Sequence, residues 1–202
     1  TFRRQVEGIS SWTVDGCDNH PAAAEHQVVT RGRYREFDIF NGPEEAQSAY
    51  QHVFLFDVLE HIDDDVDFLR AAAHYVGKDG FVHINVPASQ MLFSRYDVVV
   101  GHLRRYTLKS LTRLAESAGI RVHACGYWGL SLVPVAALRK LMLSTWGRRF
   151  TDGQVLTHGL KPPGAFANQA LATLGACETA LFARTWLGTS VMLIGTKANS
   201  QN

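Results

Sequence analysis

Cysteine is scarce in this 202-residue chain: Cys17, Cys125 and Cys177 are the only three, and none forms a CxxC pair. An odd, scattered set argues against a disulfide framework or a cysteine-based zinc site and fits a reducing, cytoplasmic compartment. Charge of one sign is also lacking. The formal net charge of +1 provides no global field for nucleic acid or an anionic membrane, so no nucleic-acid partner is expected. Long apolar runs are missing. A membrane span needs ~20 apolar residues, and the nearest stretch, "YWGLSLVPVAAL" at 127–138, is short and carries Pro134. The opening "TFRRQVEGISSW" lacks the apolar core of a signal peptide. There is no HExxH or His-x-His motif, no internal repeat and no low-complexity tract. What the chain does have is 46% hydrophobic residues, enough for a substantial core, and a single domain over 1–202 is expected.

The first two-thirds alternates between strand-like and helix-like segments. "SWTVDGCD", "RYREFDIF", "HVFLFDVL", "FVHINVPA" and "IRVHACGYW" read as strands, and the turn "GKDG" precedes the fourth of them. "NHPAAAEHQ" reads as a helix start with Asn19 as cap and Pro21 in the first turn. "DDDVDFLRAAAHYV" carries a helical stripe at Val66, Leu69, Ala73 and Val76 behind an acidic first turn. "TLKSLTRLAESAG" is a helix capped by Thr107 and closed by Gly119. This order predicts an α/β, Rossmann-like, doubly wound sheet that is mostly parallel. Residues 133–184 read as a helical insertion or substrate cover, and "GTSVMLIGTK" as a last strand. Within the insertion, "RKLMLSTWGRRF" reads as an amphipathic helix covering a core, with peripheral membrane contact as the alternative.

Ligands of open α/β sheets sit outside the carboxyl ends of the strands. Three acids fall at such ends: Asp18, Asp38 and Asp57. A carboxylate there can accept from ribose hydroxyls, from an adenine amine, or face an amine or sulfonium. The trio Asp63, Asp64 and Asp65 opens a helix, where carboxylates cap free N–H groups for ~0.5–1 kcal/mol each. A metal reading of Asp57, Glu60 and His61 needs convergent ligands. Glu60 and His61 are adjacent and diverge in regular structure, so no metal is expected.

Together "FDVLEHIDD", "GKDGFVHINVPA", "SRYDVVVGHLRRYTLKSLTRLAESAGIRV" and "LGTSVMLIGTK" resemble class I S-adenosylmethionine-dependent methyltransferases, in the group with D-V-L-E-H after the fourth strand. The resemblance spans roughly 12–127 and returns at 187–197. It implies a seven-stranded sheet whose last strand is antiparallel, and S-adenosylmethionine as cofactor. By position it implies Asp18 on the ribose, Asp38 with Ile39 at the adenine, and Asp57, Val58 and Leu59 along the methionine end. His61 and His102 are the candidate catalytic bases, and Tyr96, Arg105 and Tyr106 the candidate substrate contacts.

The family's Gly-rich loop is missing. A ribose acid lies ~20 residues beyond such a loop, so counting back from Asp18 puts it at or just before Thr1, and the first strand is expected to be absent. The expected function is methylation, at O, N or C, of a small-molecule or lipid- or glycan-linked acceptor. A peripheral membrane contact and a homodimer are the expected further associations. The alternative is a truncated or inactive methyltransferase-like binding domain. A nicotinamide-dependent oxidoreductase would need the same loop, and nothing else in the chain matches that pattern.

Overall fold

The structure, a computed structural model, describes residues 2–19, 30–146, 150–160, 169, 173–175, 177–178 and 185–198. The chain forms two compact units, Thr1–Gln47 and Ser48–Asn202.

The first unit contains helix α1 (Phe2–Ile9) and two short parallel strands, β1 (Gly16–Asp18) and β2 (Tyr34–Glu36). Two side chains of α1 fasten it to the backbone around these strands. The Glu7 carboxylate accepts from the amides of Val14 (2.8 Å) and Gly32 (2.9 Å) and from that of Arg31. Arg3 donates through Nε to the Val14 carbonyl and through a terminal nitrogen to the Gly32 carbonyl, each at 2.8 Å. Asp18 is the last residue of β1, whereas Asp38 lies two residues beyond β2. The helix start expected after Asn19 lies outside the described residues.

The second unit is built on β3 (Tyr50–Phe56), β4 (Val76–Pro87), β5 (Ile120–Trp128) and β6 (Ser190–Lys197), in the order β3-β4-β6-β5. β3 and β4 are parallel, and β6 is antiparallel to both β4 and β5. β5 therefore runs with β3 and β4, leaving β6 as the one reversed member of this sheet among the described residues. This is the Rossmann-like arrangement expected. β4 is apolar along much of its length because it is an inner strand with partners on both sides: Val82, Ile84 and Val86 are fully buried.

Helices α2 (Asp65–Ala73), α3 (Arg95–Val99), α4 (Leu108–Ser117), α5 (Val133–Trp146) and α6 (Asp152–Leu160) complete the unit. Leu69 and Ala72 of α2 and Leu111 and Ala115 of α4 are fully buried, in keeping with the helical stripes of their sequences. Thr107 caps α4 as expected, its hydroxyl accepting from the Ser110 amide at 3.1 Å.

Three expectations change. "GKDG" is not a turn before a strand: it lies inside β4, where the pairing jumps from Tyr50–Val76 to His52–Phe81. The extra residues form a bulge, with Asp79 at φ 62°. The three aspartates do not share one role. Asp64 is the N-cap of α2, accepting from the Asp67 amide at 3.0 Å, while Asp65 is buried and turned to other partners. Lastly, the described part of "RKLMLSTWGRRF" within α5 has no fully buried side chain, so it does not show the covered core its sequence leads one to expect. None of the helix's described side chains is buried, and Val135, Leu138, Leu141 and Met142 are exposed. Much of 161–184 lies outside the described residues.

Candidate active site

β3 ends at Phe56, and the next residue, Asp57, turns into the left-handed region at φ 53°. An aspartate tolerates this better than most residues, but the conformation is uncommon outside glycine and favours sites where geometry matters. The Asp57 amide is held by the Asn85 carbonyl on β4 at 2.8 Å. Asn85 also reaches the Asp57 carboxylate with its side-chain nitrogen (3.3 Å), and its side-chain oxygen accepts from the Trp128 indole of β5 (2.8 Å). Three strand ends thus orient one carboxylate. It is partly open to solvent, yet loss of hydration raises its pKa, against the opposing pull of His102 and His61.

After Val58 the chain makes a 3-10 turn, Leu59–His61, rather than a regular helix. In this turn Glu60 and His61 do not diverge. Glu60 is fully buried while its backbone carbonyl accepts from the Leu103 amide at 2.7 Å, tying the turn to the segment after α3. His61 directs Nδ1 to the Gly101 carbonyl at 3.1 Å. The His61 and His102 rings meet edge-to-face with centroids 4.8 Å apart. Burial is the main reason the Glu60 carboxyl is pushed up to about 7.

Asp97 organises the other wall. It sits in α3 and is fully buried, and one of its oxygens receives both the amide (2.8 Å) and the hydroxyl (3.1 Å) of Ser94 in a capping box. The other oxygen lies 3.1 Å from His102 Nδ1 and 2.7 Å from Arg105 Nε. Burial works against ionisation here. The His102 hydrogen bond and the Arg105 guanidinium outweigh it and hold the Asp97 carboxyl down at about 2. Tyr106 lies beneath, with its hydroxyl 2.8 Å from the Asp65 carboxylate and 3.1 Å from the Leu59 carbonyl. Arg104 closes this layer through Asp65 at 2.9 Å. Burial first, then Asp65, raises the Tyr106 pKa far above its ordinary value.

The structure thus brings Asp57, His61 and His102 to the carboxyl end of β3 and β4. Val58 is half-buried beside them, and Leu59 is fully buried in the core. Of the expected substrate contacts, Tyr96 lies under the Arg139 guanidinium, 4.1 Å from ring centroid to charge. Arg105 is committed to Asp97, with a side chain only 5% exposed, and Tyr106 is buried in the layer below. In the first unit Asp18 is exposed. Asp38 is exposed and accepts from the Phe40 amide (3.1 Å) and the Asn41 side chain (3.2 Å) in a local turn. Ile39 is half-buried. Sequence reasoning missed the roles of Asn85, Asp65 and Asp97. Only Asp97 carried a local signal, the S-x-x-D spacing from Ser94.

Among solved structures, the [4+2]-cyclase SpnF is similar at 14% identity over 96% of this chain and 70% of that one, with a TM-score of 0.55. Phosphoethanolamine N-methyltransferase 2 of Haemonchus contortus, solved with phosphomonomethylethanolamine and S-adenosylhomocysteine, is similar at 16% identity. That match covers 97% of this chain and 46% of that one, with a TM-score of 0.52. An S-adenosylmethionine-dependent methyltransferase of Archaeoglobus fulgidus is similar at 11% identity over 91% and 75% of the two chains, with a TM-score of 0.51. These likenesses establish the fold. A search of the curated proteins finds no match. The family described as a methyltransferase domain matches residues 2–124, more than half of the sequence, and the chain belongs to it.

Proposed function

We propose that this protein transfers a methyl group from S-adenosylmethionine to an O, N or C atom of a small-molecule or lipid- or glycan-linked acceptor, with Asp57 facing the cofactor's methionine end. The family uses S-adenosylmethionine. The observation that carries the reading is Asp57 itself. It is a carboxylate at a strand end, held at a strained φ of 53° and braced by Asn85 of the neighbouring β4, whose side chain is itself held by Trp128 of β5. The donor set fits a cationic amine or sulfonium: a carboxylate with a raised pKa gains from a positive partner.

When bound, the cofactor supplies an electrophilic methyl group, and the protein contributes position, orientation and exclusion of water. Asp57 and the adjoining Val58 backbone would hold the methionine end. Asp18, Asp38 and Ile39 would serve the ribose and adenine by their family positions. His61 and His102 would offer ring Nε2 atoms to an acceptor's proton, His102 being oriented by Asp97. Tyr96 would flank the acceptor. Arg105 and Tyr106 are expected to act from beneath, by fixing Asp97 and the turn at Leu59. The exposed apolar residues of α5 support a peripheral membrane contact or a second copy of this chain as a further partner. No described helix is long and apolar enough to cross a membrane.

Calorimetric titration with S-adenosylhomocysteine tests the reading. The unsubstituted protein is expected to bind, and Asp57→Asn to weaken binding at least about tenfold while leaving the melting temperature unchanged, because asparagine accepts the same φ. No binding by the unsubstituted protein would leave the alternative, a truncated or inactive methyltransferase-like binding domain.

A further inference from the structure

Glu60, close to Asp57, has a property that methyl transfer does not explain. Glu60 is fully buried, and neither of its carboxylate oxygens has a hydrogen-bond partner among the described residues. A carboxylate taken out of water without donors is strongly disfavoured unless a cation balances it. His102 Nε2 stands 3.8 Å from Glu60 Oε1, beyond hydrogen-bond reach. The tautomer of each histidine follows from its other nitrogen. The Gly101 carbonyl and the ionised Asp97 carboxylate can only accept, so Nδ1 carries the proton in both His61 and His102. Each Nε2 is then left with a lone pair. One of these lone pairs stands near Glu60 oxygens that are themselves acceptors only when ionised.

We propose that Glu60, His61 and His102 form a binding site for a divalent transition-metal ion. One ligand atom from each lies within 4.8 Å of the others. Ions bound at ~2.0–2.2 Å by nitrogen and oxygen keep neighbouring ligand atoms about 3–3.5 Å apart, so the cluster closes with small side-chain rotations. The surroundings match those of metal-ligating histidines, whose second nitrogen donates to a carboxylate or a backbone carbonyl. Asp97 and Gly101 fill those two roles here, and Arg105 in turn anchors Asp97. Two imidazoles and one carboxylate favour zinc, cobalt, iron or manganese over calcium or magnesium. His61 is exposed, which opens the cluster to solvent, and three protein ligands leave coordination positions free, as catalytic rather than structural metal sites do. Ligation uses the same lone pairs as base catalysis. With an ion bound, the histidines act on an acceptor through it, and in that respect alone the inference rests on the methyltransferase reading.

The test uses the full chain, stripped with a chelator and titrated with Co²⁺ in the absence of any sulfonium ligand. Visible d–d absorption reports coordination, and Zn²⁺ displacement gives affinity by chelator competition. One ion per chain is expected, with Glu60→Gln, His61→Ala and His102→Ala each weakening Zn²⁺ by a hundredfold or more. His123→Ala, on the far part of β5, is expected to leave affinity unchanged. Melting of each variant without metal shows whether it folds. His61→Ala is the safeguard, because an exposed ring can be removed at little structural cost. No cobalt spectrum, or zinc affinity retained in a folded variant of any of the three residues, would overturn the site. Either result is independent of the titration with S-adenosylhomocysteine, so the two proposals fail separately.

Discussion

At Asp97 a single buried carboxylate receives the Ser94 amide and hydroxyl, the His102 imidazole and the Arg105 guanidinium. The Arg105 side chain is only 5% exposed. Asp97→Asn therefore leaves a cation with no counter-charge in a place water does not reach. Breaking one side of a buried pair costs about 3–5 kcal/mol, and urea denaturation of the variant is expected to show a loss of that size. Glu7 presents the same chemistry in the first unit. Burial opposes its ionisation, but three backbone amides outweigh this and lower its pKa below 4.5. A depressed carboxyl contributes stability that is present above its unfolded value and is lost as pH falls through the folded one. Hydrogen exchange at the Val14, Arg31 and Gly32 amides is thus expected to lose protection as pH drops below 4.5, and Glu7→Gln to lose it at every pH. At this scale the sequence disclosed Asp57 because a strand pattern ends on it. It did not disclose Glu60 with His102, since their meeting depends on a fold that joins positions 42 residues apart.

Elements with local signals were legible: α4 declares its cap at Thr107 and its stop at Gly119, which takes φ 78°. The bulge in β4 was not, because "GKDG" has turn chemistry and only the pairing with β3 on both sides keeps it in a strand. Two substitutions separate bulge from turn. Gly80 has no room for a Cβ, which would meet the Tyr50 carbonyl at 2.9 Å and the Gln51 carbonyl at 3.0 Å. Both are backbone atoms of the partner strand and cannot yield alone, so Gly80→Ala is expected to destabilise by about 1–3 kcal/mol. Asp79 already stands at φ 62°, and Asp79→Gly relieves the local steric cost there. Chemical denaturation is expected to show the first variant weakened and the second unchanged or up to about 1 kcal/mol more stable. A free turn would tolerate both.

Across the molecule the sheet order decides how folding proceeds. β6 comes last in the sequence but lies between β4 and β5, pairing Val86 with Val191 and Tyr127 with Val191 from opposite sides. Among the described strands β6 is the only hydrogen-bonded neighbour of β5 in the sheet. Contacts between segments this distant in sequence have a high closure entropy, which favours slow folding and late docking of the strand. Leu193 lies at the centre of β6, paired with Ile84 and Cys125, and is fully buried. Leu193→Ala is expected to cost about 2–5 kcal/mol through lost burial and the cavity left behind. If β6 docks after the folding transition state, nearly all of that loss appears as faster unfolding, with the refolding rate unchanged. Stopped-flow measurement of both limbs against denaturant decides the matter. A refolding rate that falls in proportion to the stability lost would instead place β6 in the folding nucleus, with the reversed strand forming the sheet rather than closing it.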